Sequence, residues 1–314
     1  MGIIFEGNGR KQTNMIKSVL IVGTGALATL FAARLSAGEI KVTMLGTWRE
    51  GLAALRSTGA SLDGEGKYSV RVIDNPADCE GVEIALVLVK SWQTERAAYQ
   101  LADCLAKDGL AVTFQNGLGN DDILSGILSP QRVSRGVTTL AATLLAPGLV
   151  RLSGRGVVNL EVQSRIRDLE DILRVAKFDI NVVEDLQPFV WGKLMVNAAI
   201  NPLTALLRVK NGKLLVNPPA RELMGKLARE TASVANALGV ILPNLVPERA
   251  VEEVAKSTAD NYSSMLQDIR RGGPTEVDVI NGAVVHTGKK YKVPTPVNEV
   301  ICSLINALSH PGKI

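Results

Sequence analysis

Short apolar runs dominate the first half of the chain, and longer helical periods dominate the second. Residues 17–22 form an apolar run that breaks at Gly23, ahead of a helix-forming stretch over 26–35. That order predicts strand, turn and helix. Further runs at 41–45, 69–73, 84–89, 111–115 and 135–142 alternate with helical segments such as 93–106. Strands of this length, uniformly apolar and separated by helices, predict a doubly wound parallel sheet covered on both faces, an α/β fold of Rossmann type.

Beyond about residue 185 the period changes from strand-like to helical. Residues 188–207, 219–238, 247–258 and 296–308 carry the new pattern, with Pro188, Pro219 and Pro247 near predicted helix starts, where a missing amide hydrogen costs nothing. The chain therefore divides into a nucleotide-binding domain over 17–185 and an all-helical domain over 186–314, with 1–16 as a disordered extension. Met15 offers an alternative start.

Composition narrows the class. A chain of 314 residues, 46% hydrophobic and 21% charged, fits two soluble domains sharing one cleft. Thirty-five basic and 31 acidic residues are scattered without a run or stripe, so neither nucleic acid nor a membrane surface is an expected partner. No segment of the first 17 residues has the apolar core of a signal peptide. Cys79, Cys104 and Cys302 are odd in number and widely spaced, which suits neither a disulfide framework nor a metal site and points to the reducing cytoplasm.

Candidate chemistry starts at Gly23-Thr24-Gly25-Ala26-Leu27-Ala28, which departs from the Gly-x-Gly-x-x-Gly fingerprint only at its last position. Gly23 allows the tight turn, Gly25 lets backbone approach a pyrophosphate, and Ala28 is the helix-packing position. At the end of the second strand no Asp or Glu waits for the ribose hydroxyls. Thr47 and Arg49 stand there instead, able to bond and pair with a 2′-phosphate, so NADPH is favoured over NADH.

If such a cofactor serves the reduction of a ketone, a proton donor is needed too, and histidine is scarce here. His286 has an undistinguished setting, and His310 lies four residues from the C-terminus. Lysine is the alternative: Lys193, Asn197 and Asn201 recur every four residues and so share one helix face, amid neighbours that are otherwise apolar. A polar cleft or a solvated stripe would equally explain that spacing, and Pro202 can end the helix after Asn201.

The string KLMVNAAINPLTA from Lys193 resembles a motif of the ketopantoate reductase family, as does the block NYSSMLQDIR from Asn261 with the TEVDVING that begins at Thr275. Two strings of the first domain, LVKSWQ around Lys90 and FQNGLG around Asn116, are also similar to that family, and the matches run from Val19 to about Gly282. The resemblance implies that Lys193 donates the proton, with Glu276 beside it. It implies that Asn197, Asn201 and Ser264 bind substrate, that Lys90 lies near the cofactor, and that Asn116 lies near both nicotinamide and substrate. One departure from the family's pattern is that an arginine some members use for the 2′-phosphate aligns near Thr47. Asp268 reads as a helix or loop partner rather than a catalyst.

The function so implied is NADPH-dependent reduction of 2-dehydropantoate to pantoate, a step toward coenzyme A, with no metal and a homodimer as the expected assembly. A reductase of another small 2-oxo acid is the near alternative. A non-catalytic NADPH sensor is the distant one, because a sensor has no need of a proton donor.

Overall fold

The computed structural model describes residues 18–243 and 246–309; the expected N-terminal extension and His310 lie outside the described residues. Strand β1 (Ser18–Val22) leads through Gly23 into α1 (Ala26–Ala37), followed by β2 (Lys41–Leu45) and α2 (Arg49–Thr58). Three short strands come next: β3 (Ala60–Leu62), β4 (Gly66–Tyr68) and β5 (Arg71–Ile73). Then β6 (Val82–Val87), α3 (Thr94–Cys104), β7 (Leu105–Thr113), α4 (Asn120–Leu128) and β8 (Val133–Thr138) continue the alternation.

The principal sheet has eight strands in the order β12-β11-β8-β7-β6-β1-β2-β5, with β11 at Val157–Glu161 and β12 at Asp179–Val183. From β5 to β8 every pair is parallel; β11 then meets β8 antiparallel, and β11 and β12 run parallel to each other, reversing the last two strands. One face is packed by α1 and by α5 (Ile166–Val175), with Phe31 between Phe114 and Phe178 at centroid distances of 5.3 and 4.6 Å. The other face is packed by α3 and α4 through Ala98, Leu101, Leu124 and Leu128.

A second sheet, unforeseen in the hydrophobic pattern, has the order β4-β3-β10-β9, where β9 is Ala141–Ala146 and β10 is Leu149–Gly154. The single run expected over 135–142 is thus divided between two sheets, at Thr139 and Leu140. Leu62 and Val150 of the small sheet pack into the same core as α1.

From Gln187 onward every element is helical: α6 (Gln187–Leu207), α7 (Pro218–Ala237), α8 (Pro247–Ser257), α9 (Ser264–Arg270), a π-helical turn at Asp278–Gly282, α10 (Ala283–Tyr291) and α11 (Pro296–Ser309). Among the described residues no helix is long and apolar enough to cross a membrane.

Helix α6 covers the expected segment and continues through Pro202, where the sequence left room for an end, to Leu207. A proline inside a helix cannot donate to the carbonyl four residues earlier, here that of Ala198. Asn281, fully buried in the π-helical turn, donates its Nδ2 to that carbonyl at 3.0 Å. The bond the proline forfeits is replaced from another element, and Thr204 Oγ1 donates to the carbonyls of Ile200 and Asn201 just beyond.

Candidate active site

The β1–α1 turn has the form a dinucleotide needs. Gly23 sits at φ +131°, and a Cβ there would lie 2.9 Å from the Leu88 carbonyl oxygen, so only glycine fits between two neighbouring strands. At Gly25, by contrast, a Cβ would meet nothing within 4 Å. Gly25 is the N-cap of α1, with no side-chain cap and no acidic residue in the first turn, which leaves the helix's first amides free to meet an anion. Thr24 is buried against Gly46, and Ala28 is fully buried in the core. Thr47 and Arg49 are exposed just past β2, with Arg49 opening α2. The residues therefore fit a dinucleotide: an open helix N-terminus behind Gly25 and an exposed basic side chain just past β2.

A second set of residues converges where the two halves of the chain meet. Asn116 and Gly117 follow β7 in a loop braced by Gln115, whose Nε2 donates to the Val89 carbonyl at 3.1 Å and to Thr94 Oγ1 at 2.8 Å. Asn120 Nδ2 donates to the Asn116 carbonyl at 2.9 Å. Gly117, at φ +83°, lies so close to the Val279 carbonyl that any Cβ would collide with it, and Leu118 N donates to the same carbonyl at 2.9 Å. The loop is thereby fastened to the π-helical turn of the helical half.

Glu276, nearly fully buried, precedes that turn and is the hub of the junction. Its Oε1 accepts from Ser91 N at 3.1 Å and its Oε2 from Asn116 Nδ2 at 3.1 Å. Lys90 Nζ lies 3.6 Å from Oε2 and only 2.6 Å from Asp268 Oδ2. Burial disfavours the Lys90 ammonium, but Glu276 and Asp268 more than offset it, so its pKa stands above the ordinary lysine value. Burial also raises Asp268, against the pull of Lys90. Lys90, expected near the cofactor, thus bridges two carboxylates of the helical half of the chain.

Lys193 and Asn197, one turn apart on α6, line a cleft together with Asn116, Arg135, Val137 and Val190. Burial lowers the Lys193 pKa to about 8, and the nearby Glu276 carboxylate partly opposes the fall. Glu276 is within electrostatic reach of Lys193 without an ion pair between them; its direct partners are Lys90, Asn116 and Ser91. Asn201, a turn further, is buried below the cleft, and its carbonyl accepts from Ser263 Oγ at 3.5 Å. Ser264 is half-buried at the first residue of α9, where the preceding Ser263 caps the helix by accepting from Leu266 N. The stripe of Lys193, Asn197 and Asn201 is therefore neither wholly solvated nor wholly in the cleft: it descends from cleft to core.

Three residues at this junction were not singled out from the sequence. Arg135 gave no signal, because a lone arginine in an apolar strand has no motif. Ser263 and Asn281 act on buried backbone and depend on contacts between distant segments.

The model of the family described as "Ketopantoate reductase PanE/ApbA" matches residues 19–164, and that of its C-terminal part matches 185–309. The chain is 34% identical to the 2-dehydropantoate 2-reductase of Archaeoglobus fulgidus over 93% of its own length and 98% of the relative's. It is 33% identical to the one from Halobacterium salinarum, over 94% and 99%. Among solved structures, a ketopantoate reductase of the same family from Ralstonia eutropha superposes with a TM-score of 0.86 at 29% identity, over 93% of this chain and 98% of that one. D-mandelate dehydrogenase in complex with NADH and anilino(oxo)acetate superposes equally well, TM-score 0.86 over 93% and 98%, but at 24% identity it shares the fold alone.

Proposed function

Because the chain belongs to the ketopantoate reductase family, we propose that it reduces 2-dehydropantoate to pantoate with NADPH, on the way to pantothenate and coenzyme A. The observation that carries this reading is the cleft in which Lys193, Asn197 and Asn116 meet beside the Glu276 hub. When bound, the nicotinamide supplies hydride to the ketone carbon. Lys193, as ammonium, hydrogen-bonds the ketone oxygen and gives up its Nζ proton as negative charge develops there. A pKa near 8 suits that task, because the ammonium is abundant at neutral pH yet readily loses a proton. Glu276 supports the ammonium electrostatically and holds Asn116 at the edge of the cleft.

Asn197, Asn201 and Ser264 hold the substrate's hydroxyl and carboxylate; for Asn201 and Ser264 this requires the substrate to reach the inner end of the cleft. Thr47 and Arg49 supply the preference for NADPH, and Lys90 stands beside the cofactor as well as bridging Asp268 and Glu276. A homodimer accords with the relative from Staphylococcus aureus described as a dimeric ketopantoate reductase.

The fold is shared with D-mandelate dehydrogenase, so it does not select the acid. A reductase of another small 2-oxo acid is the second reading. Oxidation of NADPH followed at 340 nm with ketopantoate, 2-oxoisovalerate and aromatic 2-oxo acids separates the two. Preference for ketopantoate supports the first; silence on it with turnover of another acid replaces it with the second. Turnover that survives Lys193→Ala at near-normal rate removes the proposed proton donor.

A further inference from the structure

Lys193 is not the sole cation lining the cleft: Arg135, on β8, lines it too. Side chains alternate along a strand, so Val133, Arg135 and Val137 share one face of β8, while Gly136 on the other meets the Phe114 ring. Val133 packs with Leu124 and Leu128 of α4, and Val137 packs with Leu186 and Val190. Arg135 therefore emerges between α4 and α6, toward the end of the sheet where Asn116 and Lys193 stand. Its side chain is 18% exposed, and its Nη2 pairs with Asp121 Oδ1 in the first turn of α4. Among the described residues its Nε and Nη1 donate no hydrogen bond.

The charges of the cleft leave a place for this fork. Lys90 is shared by Asp268 and Glu276, and Lys193 is committed to the ketone oxygen. Among the described residues lining the cleft, Arg135 is the one other cation that could meet a substrate's carboxylate. A guanidinium donates charge-assisted hydrogen bonds to a carboxylate, and Asp121 holds the group through Nη2 while Nη1 and Nε keep their hydrogens to give.

We propose that Arg135 is a specificity-determining residue that selects 2-oxo acids over neutral ketones by pairing with their carboxylate, with Asp121 as its tether. The proposal rests on the reading of the chain as a 2-oxo-acid reductase.

The test compares wild type, Arg135→Met and Arg135→Lys with ketopantoate, 2-oxoisovalerate and the methyl ester of the latter. Turnover is followed with NADPH, and both the acid and the ester are titrated by calorimetry into enzyme loaded with NADP+. NADPH fluorescence and melting temperature identify folded variants. Arg135→Met is expected to raise KM and Kd for the acids by roughly tenfold to a hundredfold, the range for loss of a charge-assisted pair, with the ester unaffected and kcat little changed. Arg135→Lys should fall between, because it keeps charge without the fork, and it stands in should the methionine variant not fold. An unchanged acid-to-ester preference in a folded variant overturns the proposal, as does a wild type indifferent between acid and ester. Binding of acid that depends on Arg135, in a protein that turns over none of the acids, upholds the carboxylate site and brings down the reductase reading instead.

Discussion

Replacing Glu276 by Gln removes one charge from the junction while keeping a side chain of the same size. Lys193 has a pKa near 8 because burial lowers it and Glu276 opposes that fall. Since the reaction needs the ammonium, kcat/KM should be steady below pH 8 and decline above it. Without the carboxylate the opposing influence is lost, and the alkaline limb must move to lower pH. Charges a few ångström apart at an effective dielectric near 20 interact by about 3 kcal/mol, but Lys90 at 3.6 Å already neutralises part of Glu276. A downward move of about one pH unit, or about 1.4 kcal/mol, is the expected size. Glutamine still offers an oxygen to Ser91 N or Asn116 Nδ2, so the fold should hold. The assay is kcat/KM for the oxo acid across pH 6 to 10 at saturating NADPH. A limb that stays at wild-type pH, or rises, in a variant of normal melting temperature would refute the electrostatic role of Glu276.

The two glycines of the β1–α1 turn should fail differently. Gly25→Ala, whose methyl meets open space in the protein, should leave melting unchanged and weaken NADPH binding by about tenfold; Gly23→Ala, at positive φ against the Leu88 carbonyl, should lose stability as well. Equal melting temperatures for the pair would contradict this account of the turn. Arg49→Ala should cut the preference for NADPH over NADH by about tenfold in kcat/KM, and an unchanged ratio would clear Arg49 of any contact with the 2′-phosphate. Gly117→Ala should force the Asn116 loop away from Val279, costing about 2 kcal/mol or more in urea unfolding together with most of the activity. Wild-type stability there would mean that the two halves are not fastened as described.

What the sequence disclosed follows how local each feature is. The β1–α1 turn was legible because its glycines form a short motif between strand and helix, although what excludes a side chain at Gly23 is the distant Leu88 carbonyl. The helix bearing Lys193 and Asn197 was legible from its period. The small second sheet was not, because β3 and β4 have three residues each, too few for an alternation to register. The antiparallel β11 was missed for another reason: its buried Val158 and Leu160 look the same whichever way the strand runs. Lys90, Asp268 and Glu276 were each visible as ionisable groups, yet the two pairs that share the charge, Lys90 with Asp268 and Lys90 with Glu276, are far apart in the chain and settled only by packing. The same holds for Arg135, whose motif is its place between two helices.

The bond from Asn281 to the Ala198 carbonyl has a consequence for how such a chain can change over time. Pro202 and Asn281 form a lock and key within one molecule: the proline frees an acceptor, and the amide fills it. Restoring an ordinary residue at 202 would let that residue's own amide compete for the acceptor against a fully buried asparagine donor, while losing the asparagine first would strand the Ala198 carbonyl inside a helix that keeps its proline. Either order passes through a poorer intermediate, so the two positions are expected to be exchanged together or not at all. An irregularity that looks like a flaw in the helix becomes a ratchet on its history, and it keeps the helix bearing Lys193 in fixed register with the segment bearing Glu276.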